Sequence, residues 1–192
     1  DANGATATAT FSLTVNGAVV ATQAIASKVL TRNTAATSFT PVTGSGGTTP
    51  LAYSVSPALP AGLTMASSTG AITGTPTATS AAATYTVTVT DANSATATAT
   101  FSLTVNGAVV ATQAIASKVL TRNAAAASFT PVTGSGGTAP LAYSVSPALP
   151  TGLAMASSTG AITGTPTATS AATTYTVTVT DANGATATAT FS

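Results

Sequence analysis

The chain of 192 residues contains no Glu, His, Cys or Trp, and its three acids are all Asp. Each absence removes a class of activity. Histidine-assisted, thiol-based and paired-carboxylate catalysis need side chains that are missing. So do the usual metal sites, apart from one Asp in each ninety residues or so. We therefore expect no catalytic, cofactor-binding or metal-binding residues. Charge is scarce as well: seven formal charges, net +1, make up 4% of the chain, against roughly 25% in ordinary globular chains. That is too little to hold nucleic acid or an anionic membrane surface. No run of about 18 apolar residues occurs, so no membrane insertion is expected in this segment. The absence of Cys fits a cytoplasmic protein or an exported bacterial one built without disulfides.

What fills the chain is small and β-branched. Ala and Thr, 44 and 45 in number, make up nearly half of it. Mean hydropathy is +0.45, which argues against disorder and removes the repulsion that keeps copies apart.

The dominant pattern is a repeat. Residues 1–90 align without gaps to residues 91–180, and residues 181–192 begin a third copy. The two full copies differ at seven positions: Gly4/Ser94, Thr34/Ala124, Thr37/Ala127, Thr49/Ala139, Ala61/Thr151, Thr64/Ala154 and Ala83/Thr173. A period of 90 residues suits a small β-sandwich better than a solenoid turn.

Alanine content alone favours helix, but periodicity overrules it. Thr84–Thr90 alternates strictly, with Tyr85, Val87 and Val89 on one face. Residues 95–105 alternate too, placing Ala95, Ala97, Ala99, Phe101, Leu103 and Val105 inward. Period two with β-branched residues is a half-buried strand. The polar turns Asp91–Ser94 and Asp181–Gly184 join such strands into hairpins, with Asp91, Asn93, Asp181 and Asn183 as structural turn residues. Ser38–Val42, Leu51–Val55 and Ala71–Thr73 read as further strands, with a Gly-rich loop over Thr43–Thr49. The inner face predicts a core of Phe39, Tyr53, Leu59, Leu63, Ile72, Tyr85, Val87, Val89, Phe101 and Leu103. Short strands separated by turns every 8–12 residues mean an antiparallel sandwich. Asn16-Gly17 and Asn106-Gly107 lie between apolar runs and read either as a two-residue hairpin or as a very short linker.

Ala58–Thr64, Ser68–Thr77 and Tyr85–Asp91, repeated as Ala148–Leu153, Ser158–Thr167 and Tyr175–Asp181, resemble the bacterial "putative immunoglobulin" tandem repeats. These are cadherin-like modules of large surface or secreted proteins. The resemblance covers about two-thirds of each unit and implies tandem immunoglobulin-like sandwiches, all-β, of about 90 residues. It implies boundaries that make residues 1–16 the last strand of a preceding repeat, 17–106 one repeat, and 107–192 another with its last strand cut short. It also implies an extracellular or cell-surface stalk, adhesin or fibre. The acidic calcium motifs of true cadherins are not matched.

Outward Thr ladders are the remaining surface feature. Thr86, Thr88, Thr96, Thr98 and Thr100, with Thr176, Thr178, Thr186 and Thr188, are expected on one face of each domain. A face of low charge and small side chains is a self-association surface, so the expected partner is the chain itself: neighbouring repeats and other copies in a fibre. A sugar-binding adhesin is the alternative function, and ice binding through the Thr arrays is a third.

Overall fold

The computed structural model describes residues 2–4 and 6–192, so residues 1 and 5 of the first predicted segment lie outside the described residues. The architecture is all-β in two tandem domains. The first contains β1 (Val20–Gln23), β2 (Ser27–Thr31), β3 (Ala36–Phe39), β4 (Val42–Ser45), β5 (Ala52–Ser56), β6 (Leu63–Met65), β7 (Ile72–Gly74), β8 (Ser80–Thr90) and β9 (Thr96–Asn106). The second contains β10 (Val110–Gln113), β11 (Ala126–Phe129), β12 (Val132–Ser135), β13 (Ala142–Ser146), β14 (Leu153–Met155), β15 (Ile162–Gly164), β16 (Tyr175–Thr180) and β17 (Thr186–Phe191).

The first domain contains the sheets β2-β9-β8-β5 and β3-β7-β6 and the two-stranded ribbon β1-β4. The predicted hairpin is the spine: β8 and β9 pair antiparallel, with Tyr85 opposite Phe101, Thr86 opposite Thr100 and Thr88 opposite Thr98. Alternation then sends Tyr85, Val87, Val89, Phe101, Leu103 and Val105 into the core with Phe39, Leu63 and Ile72. Phe101 stacks on Tyr85 at 5.5 Å and meets Phe39 edge-on at 6.5 Å, the geometries that ring quadrupoles favour. The second domain repeats this with Tyr175 on Phe191 at 5.2 Å.

The structure departs from the sequence reading in four places. The strand expected over Ser38–Val42 is broken at Thr40-Pro41: β3 joins β7, while β4 joins β1. Pro41 has no N–H for a continuous ladder, so the chain changes sheets there. Thr43–Ser45 is correspondingly strand, as part of β4, where loop was expected. The sandwich is not wholly antiparallel, because β2 runs parallel to β9, Ser27 opposite Ser102 through Thr31 opposite Asn106. Together these splits give the first domain nine strands. Ala95 is exposed rather than inward, although its counterpart Ala185, with the same N–H bond to the turn carboxylate, is buried. Tyr53 and Leu59 are only partly buried and pack on the rim of the core. Tyr53 uses its hydroxyl to accept the Gly44 N–H at 3.0 Å.

Candidate functional site at the repeat junction

Asn106-Gly107 is a linker: β9 ends at Asn106, and β10 begins at Val110, after three intervening residues, in a different sheet. Such a short connection with a buried Val109 brings the ends of the two domains together, and a polar cluster forms where they meet.

Its centre is Asp181, at the turn between β16 and β17. The sequence places it there as a turn carboxylate: Oδ1 accepts the N–H of Asn183 at 2.9 Å and of Ala185 at 2.8 Å, closing the Asx turn. Oδ2 accepts the N–H of Thr138 at 2.8 Å. A fourth donor comes from the other domain, the hydroxyl of Thr31 at the end of β2. Thr31 is 1% exposed, so this bond lies in a dry contact. Around it, Asn183 Nδ2 reaches Thr31 Oγ1 at 3.0 Å, Thr138 Oγ1 at 3.0 Å and the Val29 carbonyl at 3.2 Å. Thr31 and Thr138 hydroxyls share a bond at 3.0 Å, and Asn106 Nδ2 donates to Thr138 Oγ1 at 3.2 Å. No buried side-chain polar atom among the described residues lacks a partner.

Gly137 permits the approach. At φ +64° it packs its backbone on Asp181, and a Cβ added there would lie 2.6 Å from Val109 Cγ2 and 2.9 Å from Asp181 Cβ. Its N–H bonds the Gly107 carbonyl at 3.0 Å, tying the linker to the same loop.

Electrostatically, burial pushes the Asp181 carboxyl up, but the Thr31 hydroxyl and the N–H groups of Thr138, Ala185 and Asn183 outweigh it, so the group titrates below the usual Asp value. Asp91, its counterpart in the first domain, is also lowered, chiefly by the Thr48 N–H and further by Ala95 and Asn93 against some desolvation. A carboxylate offers about four lone-pair sites, and Asp181 fills four. It has no oxygen lone pair left for a cation, and no group of three or more His, Cys, Asp or Glu gathers among the described residues.

The structure thus places Asp91, Asn93, Asp181 and Asn183 in hairpin turns, and gives the second pair a contact that the sequence did not announce. Thr31 and Thr138 were missed entirely, since neither stands out among 45 threonines. The expected Thr face lies elsewhere, on the outer side of each hairpin. Ser54, Thr88 and Thr98 form one row across β5, β8 and β9, and Ser56, Thr86 and Thr100 the next. Thr96 pairs with Thr90 beyond them. In the second domain Thr178 pairs with Thr188, Thr176 with Thr190 and Thr186 with Thr180.

A family model described as "Putative Ig domain" matches residues 18–106 and again 108–192. Solved structures resemble the chain at low identity. The I-band fragment of titin aligns at TM-score 0.46 and 13% identity, over 90% of this chain and 64% of that one. Extracellular cadherin domains 3–6 of protocadherin gamma B2 align at TM-score 0.41 and 17% identity, over 92% and 51%. Mouse cadherin-23 EC22–24 aligns at 0.36 and 14%, over 91% and 63%. The chain thus spans between half and two-thirds of these fragments. No curated protein sequence matches it. No helix among the described residues is long and apolar enough to cross a membrane.

Proposed function

We propose that this chain, which belongs to the Putative Ig domain family, is a non-enzymatic structural repeat module of an extracellular bacterial fibre or surface stalk, acting by spacing and by association with copies of itself. The observation that carries this reading is the closed hydrogen-bond cluster joining Thr31 of one repeat to Asp181, Asn183 and Thr138 of the next. A flexible string of domains needs no such contact, whereas a spacer of fixed length does. The longest strands of the first domain have eleven residues, roughly 35 Å at about 3.3 Å per residue.

The adhesin alternative gains less support. Tyr85 and Phe101 are buried, so few aromatic faces remain for stacking on a sugar ring.

Small-angle X-ray scattering of the chain tests the reading. We expect a narrow distance distribution with two well-separated lobes. Asp181→Ala should broaden it while leaving the circular-dichroism spectrum unchanged. A wild-type profile that needs an ensemble of interdomain angles overturns the spacer.

A further inference from the structure

Beside the contact of Thr31 with Asp181, the joint between the domains leaves a small polar hollow. Strands β2 and β3 follow one another in the chain but join different sheets, β2 with β9 and β3 with β7. The turn between them is tight, with Asn33 at φ +63° and its N–H on the Pro76 carbonyl at 2.8 Å. Consecutive strands that do not bond each other leave a gap at the edge of the sandwich. The β16–β17 turn of the next domain supplies part of its wall. The result is a hollow of about 190 Å³, with Lys28, Leu30, Thr31, Thr34, Thr37 and Asn183 among its lining residues.

Its polar groups have little to do within the chain. The Lys28 ammonium sits over the Phe39 ring, 5.5 Å from its centroid, and no carboxylate is left to pair with it among the described residues. Asp91 spends its oxygens on the N–H groups of Thr48, Asn93 and Ala95. Asp181 spends its own on Thr31, Thr138, Asn183 and Ala185. Among the described residues, no group bonds the hydroxyls of Thr34 and Thr37. Asn183 commits its Nδ2 to Val29, Thr31 and Thr138, which leaves Oδ1 as an acceptor.

Two of the seven differences between the copies fall in this lining. Thr34 and Thr37 are matched by Ala124 and Ala127. The second copy nevertheless forms the same strand β11 and holds Lys118 over Phe129 at 5.6 Å. The two hydroxyls are therefore not required by the fold.

We propose that the hollow binds one sugar acid, a uronate unit of an acidic polysaccharide, with its carboxylate on Lys28 and its hydroxyls on Thr34, Thr37 and Asn183. The volume lies below the roughly 300–1,000 Å³ of sites for drug-sized ligands, which limits the occupant to one small unit. A bare anion would satisfy Lys28 but set an acceptor against the Asn183 carbonyl. A neutral sugar would leave the ammonium without a counter-charge. A hydroxylated carboxylate meets both demands, with a charge-assisted bond at one end and hydroxyl pairs at the other. Recognition is by charge and hydroxyls rather than by ring stacking, so the burial of Tyr85 and Phe101 does not weigh against it. Because Lys28 and Thr34 belong to one domain and Asn183 to the next, an occupant also bridges the joint. The proposal goes beyond the spacer reading and stands without it.

Titration of the isotope-labelled full chain with sodium glucuronate, followed by amide chemical shifts, tests this. Saturable shifts are expected over residues 28–37 and at Ala182 and Asn183. None is expected over residues 118–127, the same stretch of the second copy with the same lysine. Acetate and glucose each carry half of the chemistry and should bind more weakly by roughly tenfold or more. Lys28→Met keeps an apolar stem on Phe39 but removes the charge, and T34A/T37A installs the residues of the second copy. Each should weaken glucuronate binding by roughly tenfold while the rest of the spectrum stays in place. Equal shifts around Lys28 and Lys118 would mean ion association with exposed lysines only, and would overturn the proposal. Acetate binding as tightly as glucuronate, or the lack of any saturable shift, overturns it too. None of these outcomes touches the scattering profile, so the spacer is judged separately.

Discussion

The same eleven residues occur twice in this chain with opposite fates. Thr96–Asn106 is β9, a fully formed strand, and buries Phe101 and Leu103. Thr6–Asn16 forms no strand and exposes their twins. Propensity and period are identical in the two, so neither decides the outcome. The difference is the neighbour: β9 has β8 on one side and β2 on the other, and backbone groups and apolar faces are satisfied only there. The domains carry the same lesson in reverse. The strand that matches β8, eleven residues long, is β16 in the second domain, six residues long, and Leu120 is half-buried there where Leu30 is buried.

Truncating the two leucines breaks this comparison most sharply. Leu103→Ala should cost about 2–5 kcal/mol, as large-to-small changes in a packed core do. It should also loosen β2, so that the first domain comes to resemble the second. Leu13→Ala should stay within about 0.5 kcal/mol in the monomer, since nothing covers the side chain. Urea unfolding with exchange rates over Ser27–Thr31 measures both. Equal losses would mean that the two segments are equally packed in solution.

Most of this fold was legible in the sequence because alternation and turn chemistry are local. The β8–β9 hairpin, the inward Tyr85, Val87, Val89 and Phe101, and the facing Thr rows follow from a period of two and an Asp-Ala-Asn turn. Three features were not. The sheet switch at Pro41 and the parallel pairing of β2 depend on which layer a short strand joins, and that is settled by packing far along the chain. The junction was the least legible. Thr31 lies 150 positions from Asp181, and a threonine that caps a neighbouring domain carries the same letter as one facing water.

The junction gives the next comparison, Asp181 against Asp91. Thr31→Val keeps the shape and β-propensity but removes the hydroxyl shared by Asp181 and Thr138. It should cost about 1.5–3 kcal/mol, the range for a bond to a charged group, and should widen the scattering-derived interdomain distribution. Thr121→Val, its counterpart one period on, should change the stability of the monomer by no more than about 0.5 kcal/mol, because Thr121 is exposed.

Acid sharpens the same contrast. Both carboxyls are held below their ordinary value, Asp91 chiefly by the Thr48 N–H and Asp181 by its hydrogen bonds against burial. A group with a lowered folded-state pKa stabilises the fold fully above its unfolded value of about 3.9 and loses that contribution as pH falls through the folded one. The melting temperature should therefore be flat from about pH 5 to 9 and fall below about pH 4. Asp181→Asn should flatten the acid limb and separate the domains already at neutral pH. Asp91→Asn should flatten the limb alone. A midpoint that drifts strongly between pH 5 and 9 would overturn this account, because the chain has no His or Cys side chain to titrate there.

The smallest effect is expected on the outer face. Thr86→Lys with Thr88→Lys puts two charges on the ladder that runs Ser56-Thr86-Thr100 and Ser54-Thr88-Thr98. Stability should change by no more than about 0.5 kcal/mol, because these side chains stand on the solvent side of the sheet. Lateral packing of fibres should nevertheless fail, since a second hydroxyl ladder cannot approach two ammonium groups without desolvating them. Electron microscopy checks this: single threads from the lysine variant and bundles from wild type. Bundles that persist in the lysine variant would remove the Thr face as an interface.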